Sequence, residues 1–358
     1  MALTAREEGE VSPSGPDRLL AEAAQVARHA DARLSAALHD LFLPDLVRPT
    51  DSQRAAMANM LHALVVEIEG DLRSALVVTL GDHAPPVLSV SRIPIVRPIF
   101  DRAGVLRDRE LVALLLARVE EHRIGNAIRR IAQIDPEPSR PLDLGVSADL
   151  EAGLRIAESR RSDSHGDPCL LVRDLPADLL HRMLWWAAAA LRDYLDRMSA
   201  LDPALRDEAL AAAVSTRLSA HDEGQALDAA AMRVAIVSPA NDGMLFDLFR
   251  SGRFALFVAV LAVRARTDYA SAFMLAADPG VGALAVLLRA IDASIQTAAP
   301  ILLQIASING LSEAKLEERV NDFLDLDLAA AKDAIRPYRL DRAFRHAIGD
   351  IGRERRAR

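Results

Sequence analysis

A chain of 358 residues has room for two domains or one elongated helical array. Its apolar fraction of 51% is ample for a core, but aromatics make up only 4%, so Ala, Leu and Val must fill that core, which favours closely packed helices over sheets. A net charge of −8 disfavours nonspecific nucleic-acid binding, and the single cysteine, Cys169, excludes an intrachain disulfide.

Only Lys315 and Lys332 are lysines, so arginine supplies nearly all of the 43 basic residues, a bias pointing to a GC-rich genome rather than to phosphate binding. Residues 1–16 hold Pro13, Gly15 and Pro16 and are expected to be disordered. With Glu7, Glu8 and Glu10 they lack the basic-then-apolar pattern of a secretion signal. The longest apolar run, Phe254 to Val263, is about half of what a bilayer-spanning helix needs. No membrane insertion and a cytoplasmic location are expected.

An N-terminal helical domain is predicted over 17–134. Asp17 is a candidate N-cap for a helix to Leu43, ended by Pro44. Thr50 and Gln53 form a capping-box pattern opening a helix that Gly81 stops near Leu80. Pro85, Pro86, Pro94 and Pro98 cut the next stretch into short pieces. Helices then follow from Asp108 to Val119 and from Ile124 to Ile131. Residues 135–174 read as a connector with one short helix, Asp149 to Arg161, and a polar, mobile stretch from Arg160 to Asp167.

A C-terminal helical domain is predicted over 175–348, followed by a basic tail, 349–358, read as a solvated, frayed end. After Pro176, Leu180, Met183, Leu184, Ala187, Leu191, Tyr194, Leu195 and Met198 recur at the spacing of one buried helical face. Phe254 to Val263 is apolar all round and should be central. Val281, Leu284, Leu287, Leu288 and Ile291 form another stripe. Leu316, Val320, Phe323 and Leu324 form one more, with Ser312 as its N-cap. Breaks at Pro239, Gly243, Gly252, Pro279 and Gly310 suggest stacked helical hairpins in an all-α fold, without an exact repeat period.

Several segments carry a family resemblance: Asp71 to Leu76, Ala84-Pro85-Pro86, Ile95 to Phe100, Leu106 to Leu111, and Glu121-His122-Arg123. A later stretch from Leu245 through Gly252, Phe254 and Ala262 to Leu284 and Arg289-Ala290-Ile291 adds to it. Together they resemble the bacterial domain-of-unknown-function family 2336. The resemblance spans roughly Gln53 to Ala306, and the stretch after His122 departs from the family pattern. It implies an irregular HEAT-like helical repeat, or a multi-helix bundle array, and supplies no reaction.

Trp185 and Trp186, the only tryptophans, project away from the Leu180–Leu191 stripe and close to Arg182. Either their helix sits inside the bundle, the preferred reading, or this second face is an interface, with Trp185, Trp186 and Arg182 as its candidates. His181-Arg182 faintly matches the phospho-accepting pair of histidine phosphotransfer helices, but Met183, Leu184 and Trp185 follow where polar residues belong. The other histidines are scattered, without metal-ligand spacing. Ser164-His165-Gly166-Asp167 lacks a positioned nucleophile. Cys169 reads as a buried inert thiol, and Pro279-Gly280-Val281-Gly282 as a turn.

No catalytic residue, cofactor or metal is therefore expected. The expected function is that of a non-enzymatic scaffold or regulatory adaptor binding a protein or peptide, with self-association open. The alternatives are a phosphotransfer module using His181 and, against the acidic balance, a helical-repeat nucleic-acid binder.

Overall fold

The computed structural model describes residues 15–26, 50–90, 93–134 and 143–341, together with 344, 345, 347, 348 and 351. All regular structure among them is helical, apart from an isolated bridge between Ser162 and Pro168. In chain order the helices are α1 (15–26), α2 (Asp51–Leu80), α3 (Pro86–Val90), α4 (Val96–Ala103), α5 (Arg109–Ile134), α6 (Ala148–Ser159), α7 (Ala177–Met198) and α8 (Pro203–Ser219). They continue with α9 (Leu227–Val237), α10 (Asp242–Arg250), α11 (Phe254–Ala265), α12 (Tyr269–Ala276), α13 (Gly282–Ala290), α14 (Ile295–Ile308), α15 (Glu313–Asp325) and α16 (Leu328–Ala334).

Local chemistry sets most boundaries. Thr50 and Gln53 close the expected capping box on α2, and Gly81 ends that helix at φ 53°, ψ −123°, a conformation few residues other than glycine adopt. Ser147, Asp202, Asn241, Asp268 and Asp327 accept backbone N–H bonds at the starts of α6, α8, α10, α12 and α16. Helix α1 already contains Gly15 and Pro16. Asp17 therefore lies in its first turn, where a carboxylate meets the positive end of the helix, and does not cap it. The rest of the helix expected up to Leu43 falls outside the described residues, as do residues 1–14.

Two apolar cores result. The first joins α2, α3, α4, the start of α5, α7 and α8, through Leu64, Leu72, Phe100, Leu115, Leu180, Leu191 and Val214. The second joins α1, the end of α5, α6 and α9 to α16 around α11, whose Phe254 to Ala262 are all buried, as the all-round apolar pattern predicts. Helices α7 and α8, which follow the connector in sequence, pack with the N-terminal helices. Helix α1 docks across the whole chain length. Arg18 pairs with Asp322 at 2.7 Å, Arg319 with Glu22 at 2.7 Å, and Tyr338 Oη donates to the Ala23 carbonyl at 2.5 Å.

Several expectations need correction. Helix α5 runs unbroken through Glu120 to Arg123, because that polar stretch pairs internally: Arg118 with Glu121 at 3.0 Å, Arg123 with Glu120 at 2.6 Å. The stretch from Arg160 to Asp167 is a hydrogen-bonded turn, with Asp163 accepting from the His165 and Asp167 amides. Met198 and Leu324 point to solvent, each at the C-terminal end of a helix where the buried stripe runs out. Gly243 lies within the first turn of α10 and not at a break. Ser312 stands at the N-cap of α15 without a side-chain cap bond.

Glu69 of α2 ties the first core together. Its carboxylate accepts from Ile95 N at 2.9 Å and Val96 N at 2.9 Å, capping α4 from a distant helix, and pairs with Arg73 at 2.6 Å, both side chains being buried. Removing it strips two buried N–H groups and one buried guanidinium of an acceptor. Glu69→Leu should therefore cost on the order of 3 kcal/mol in urea unfolding. A loss under about 1 kcal/mol would mean water replaces the carboxylate there.

Candidate functional site

The residues picked out on α7 divide between core and surface. Trp186 is half-buried and packs on the first core, whereas Trp185 is 43% exposed. For Trp185 the preferred core reading is thus overturned: the exposed line of α7 runs Asp178, His181, Trp185, Ala189, Arg192, and the tightly packed line is already complete without it. The Trp185 indole N–H donates to His181 Nε2 at 3.1 Å, and the two rings meet edge to face at 6.3 Å. Arg182 reaches Glu110 at 2.7 Å and Asp108 at 3.4 Å, at the start of α5. The result is an aromatic ring and a guanidinium, side by side, each held in place by a neighbour.

A second constellation lies between the two cores and was not singled out in the sequence. Arg118, 3% exposed, donates from Nε to the Cys169 carbonyl at 2.7 Å and from Nη1 to Glu121 at 3.0 Å. Arg161 from the connector also reaches Glu121, at 3.0 Å, and Tyr269 Oη of α12 donates to it at 3.5 Å. Asp174 and Asp228 are close enough to repel the Glu121 charge. Burial, and then that repulsion, raises the Glu121 carboxyl above its ordinary range against the pull of Arg118. Burial likewise raises Asp174, and Asp228, solvent-exposed yet hemmed in by protein, is raised by lost hydration and by Asp174. The Tyr269 hydroxyl is pushed well up by burial and by Glu121. The available signal was positional: Arg118 falls seven residues after Leu111 on the core-facing line of α5.

His122 sits beside this cluster. Its Nε2 meets the Asn126 amide nitrogen at 2.6 Å, and its Nδ1 meets Ser162 Oγ at 3.5 Å. Arg129 donates to Asn126 Oδ1, which turns the Asn126 amino group toward His122 and assigns the His122 proton to Nδ1. The imidazole is then a donor toward Ser162, the reverse of what a general base requires. Burial, Arg129 and Arg118 lower its basicity. The Cys169 thiol is partly buried and raised by that burial, away from nucleophilic thiolate. Ser164 and His165 lie on the exposed Asp163–Asp167 turn, and His221 bonds the Leu175 carbonyl at 3.0 Å. Residues Asp278 to Val281 form the expected turn, with Val281 at φ 53°. Among the described residues no group of three or more His, Cys, Asp or Glu is placed to hold a metal ion.

Comparison with protein families matches residues 151–336, just over half of the chain, to a family described as an uncharacterised protein conserved in bacteria (DUF2336). The chain belongs to that family. The matched range takes in the Leu245–Ile291 stretch and leaves the segments from Asp71 to Arg123 outside it. No curated protein and no solved structure matches. In this DUF2336 chain the α7 patch lies inside the family region, but its anchors Asp108 and Glu110 do not. The inter-core cluster likewise pairs family-region residues Arg161, Asp174, Asp228 and Tyr269 with Arg118 and Glu121 from outside.

A raised carboxyl makes the folded state bind protons more tightly than the unfolded chain. Its contribution is therefore complete below the ordinary value of 4.5 and is lost as pH rises through the raised folded value. Thermal unfolding of wild type and Glu121→Gln across that window should show the wild-type advantage shrinking as pH rises. A constant difference would mean that Glu121 titrates as it does in the unfolded chain.

Proposed function

We propose that this DUF2336 protein is a non-enzymatic scaffold or regulatory adaptor, built on an irregular HEAT-like array of helical hairpins and working in the cytoplasm. The observation that carries this reading is the α7 patch: an exposed tryptophan oriented by His181 beside an arginine tethered to Glu110 and Asp108. Tryptophan and arginine dominate binding hot spots, and side chains already held in place lose little entropy on association. The array reading rests on packing between consecutive helices from α10 to α15. The partner is a protein or peptide, and a second copy of the chain is one such partner.

The donor tautomer assigned to His122 and the raised Cys169 thiol support the non-enzymatic reading. Phosphotransfer through His181 has less support, since its Nε2 already accepts the indole N–H. A nucleic-acid surface has less still in a chain of net charge −8.

A photo-crosslinking phenylalanine derivative in place of Trp185, expressed in the source bacterium, should give one discrete adduct that the same group at Val78, also exposed, does not. Identical smears from both positions would sink the reading. With the partner in hand, Trp185→Ala should weaken binding by about 2 kcal/mol, roughly thirtyfold, at a stability cost of about 1 kcal/mol or less. Trp186→Ala should do the opposite, costing about 2 kcal/mol of stability because its ring packs on the core.

A further inference from the structure

Helix α1 lies in a groove built by the far end of the chain. Leu19, Ala23 and Val26, at positions i, i+4 and i+7 of one helical face, are buried in the second core, while Asp17, Ala21 and Ala24 face solvent. Charged groups fasten its flank in both directions. Arg18 reaches Glu318 at 2.6 Å and Asp322 at 2.7 Å on α15, and Arg319 of α15 reaches back to Glu22 at 2.7 Å. The Tyr338 hydroxyl holds the other end through the Ala23 carbonyl. Two glycines make the fit close. At Gly15 of α1 a Cβ would overlap the Asp322 carboxylate. At Gly282, the first residue of α13, it would overlap the Glu22 carboxylate and come within 3.3 Å of Leu19 Cδ2. Each side of the joint thus leaves a notch for a carboxylate from the other.

The seat is specific, yet its polar half is short of partners. Among the described residues, Arg18 Nε and Arg319 Nε and Nη1 are buried without a hydrogen bond. Burial raises the Glu22 carboxyl, even against its bond to Arg319. A buried donor left unpaired costs free energy. A helix that kept the apolar line and brought another acceptor to these guanidinium groups would therefore hold the groove more tightly than α1 does. Apart from Tyr338, the groove lies within the matched range 151–336, and α1 lies outside it. An amphipathic helix laid in an apolar groove through anchors at i, i+4 and i+7 is a recurrent mode of peptide recognition.

We propose that the groove along α13 and α15 is a binding site for an amphipathic helix of a partner protein, and that α1 occupies it in cis as a displaceable ligand. The partner helix repeats the α1 pattern: an arginine and a leucine, followed four residues on by an acid and a small residue, with a β-branched residue three further. The groove belongs to the second core, whereas the α7 patch belongs to the first.

The test uses the full chain and a fluorescent peptide of residues 15–26, with binding read by anisotropy. Leu19→Asp puts a charge on the buried line and should release α1. It should then bind the peptide about tenfold or more tighter than wild type, whose groove is already filled. Adding Gly282→Ala to Leu19→Asp should weaken that binding by about tenfold or more, because the new Cβ meets the peptide's glutamate. Alanine is otherwise a better helix residue than the glycine it replaces, so α13 itself is not harmed. In wild type, hydrogen exchange should open α1 well before α13, the helix it rests on. Loss of cooperative thermal unfolding in Leu19→Asp would make α1 part of the core and overturn the proposal. So would equal binding by wild type and Leu19→Asp, binding indifferent to Gly282→Ala, no binding, or protection of α1 equal to that of α13. A wild-type dimer by light scattering that Leu19→Asp converts to a monomer also overturns it, assigning the groove to α1 of a second copy.

Discussion

The middle of α5 is where the structure is most constrained. Its first half inserts Leu111 and Leu115 into one core and its second half inserts Ile124 and Ile128 into the other, so the residues between them are carried inside with their charges. Burying an uncompensated charge costs several kcal/mol, and α5 brings in Arg118, Glu120, Glu121 and Arg123 together. Each is matched at once by a neighbour one turn away, and then by a group from elsewhere: Gln53 for Glu120, Arg161 for Glu121, the Cys169 carbonyl for Arg118, and Asn309 Oδ1, 2.6 Å away, for Arg123. Those outside partners come from the start of α2, the connector and the α14–α15 turn. Their positions are thereby dictated by charges on a helix far away in sequence.

This explains what the sequence could and could not reveal. Helix α11 was legible because burial on every side leaves only apolar residues, and α2 because its cap and its glycine stop are both local chemistry. The unity of α5 was not legible. A run of Glu, Glu, His and Arg reads as a solvated break unless the opposite charges one turn away are taken as mutual partners inside a core. Trp185 was misjudged for a related reason. Bulk and hydrophobicity argued for burial, but Leu180, Met183, Leu184, Ala187 and Leu191 already fill the packed side of α7. The partners of Arg182 come from α5, 72 residues and more away in sequence, and no periodicity on α7 points to them.

The carboxylates around Arg118 differ from an ordinary ion pair in one respect: three acids face three guanidinium groups, Arg118, Arg161 and Arg173, and a phenol at the contact between two cores. Mutual repulsion among Glu121, Asp174 and Asp228 is relieved by taking up a proton. Small changes at such a joint matter more than equal changes within either core, because close-packed interiors resist deformation and interfaces between them yield first.

The outward-facing patch on α7 belongs to the first core. Trp186 of that helix packs into the first core, whereas Arg345, at the other end of the chain's described residues, is held by Ser271 and Asp268 against the second. The principal bridges between these bodies are α5, the connector after α6, and the turn between α8 and α9, where Glu223 accepts from the Ala177 amide at the start of α7. The two cores are joined chiefly through these bridges, and Arg118, Glu121 and Asp174 occupy two of the three. Those charges are matched across the bridges, so a displacement of either body that breaks the Arg118–Cys169 or Arg161–Glu121 contact leaves a buried charge short of a partner.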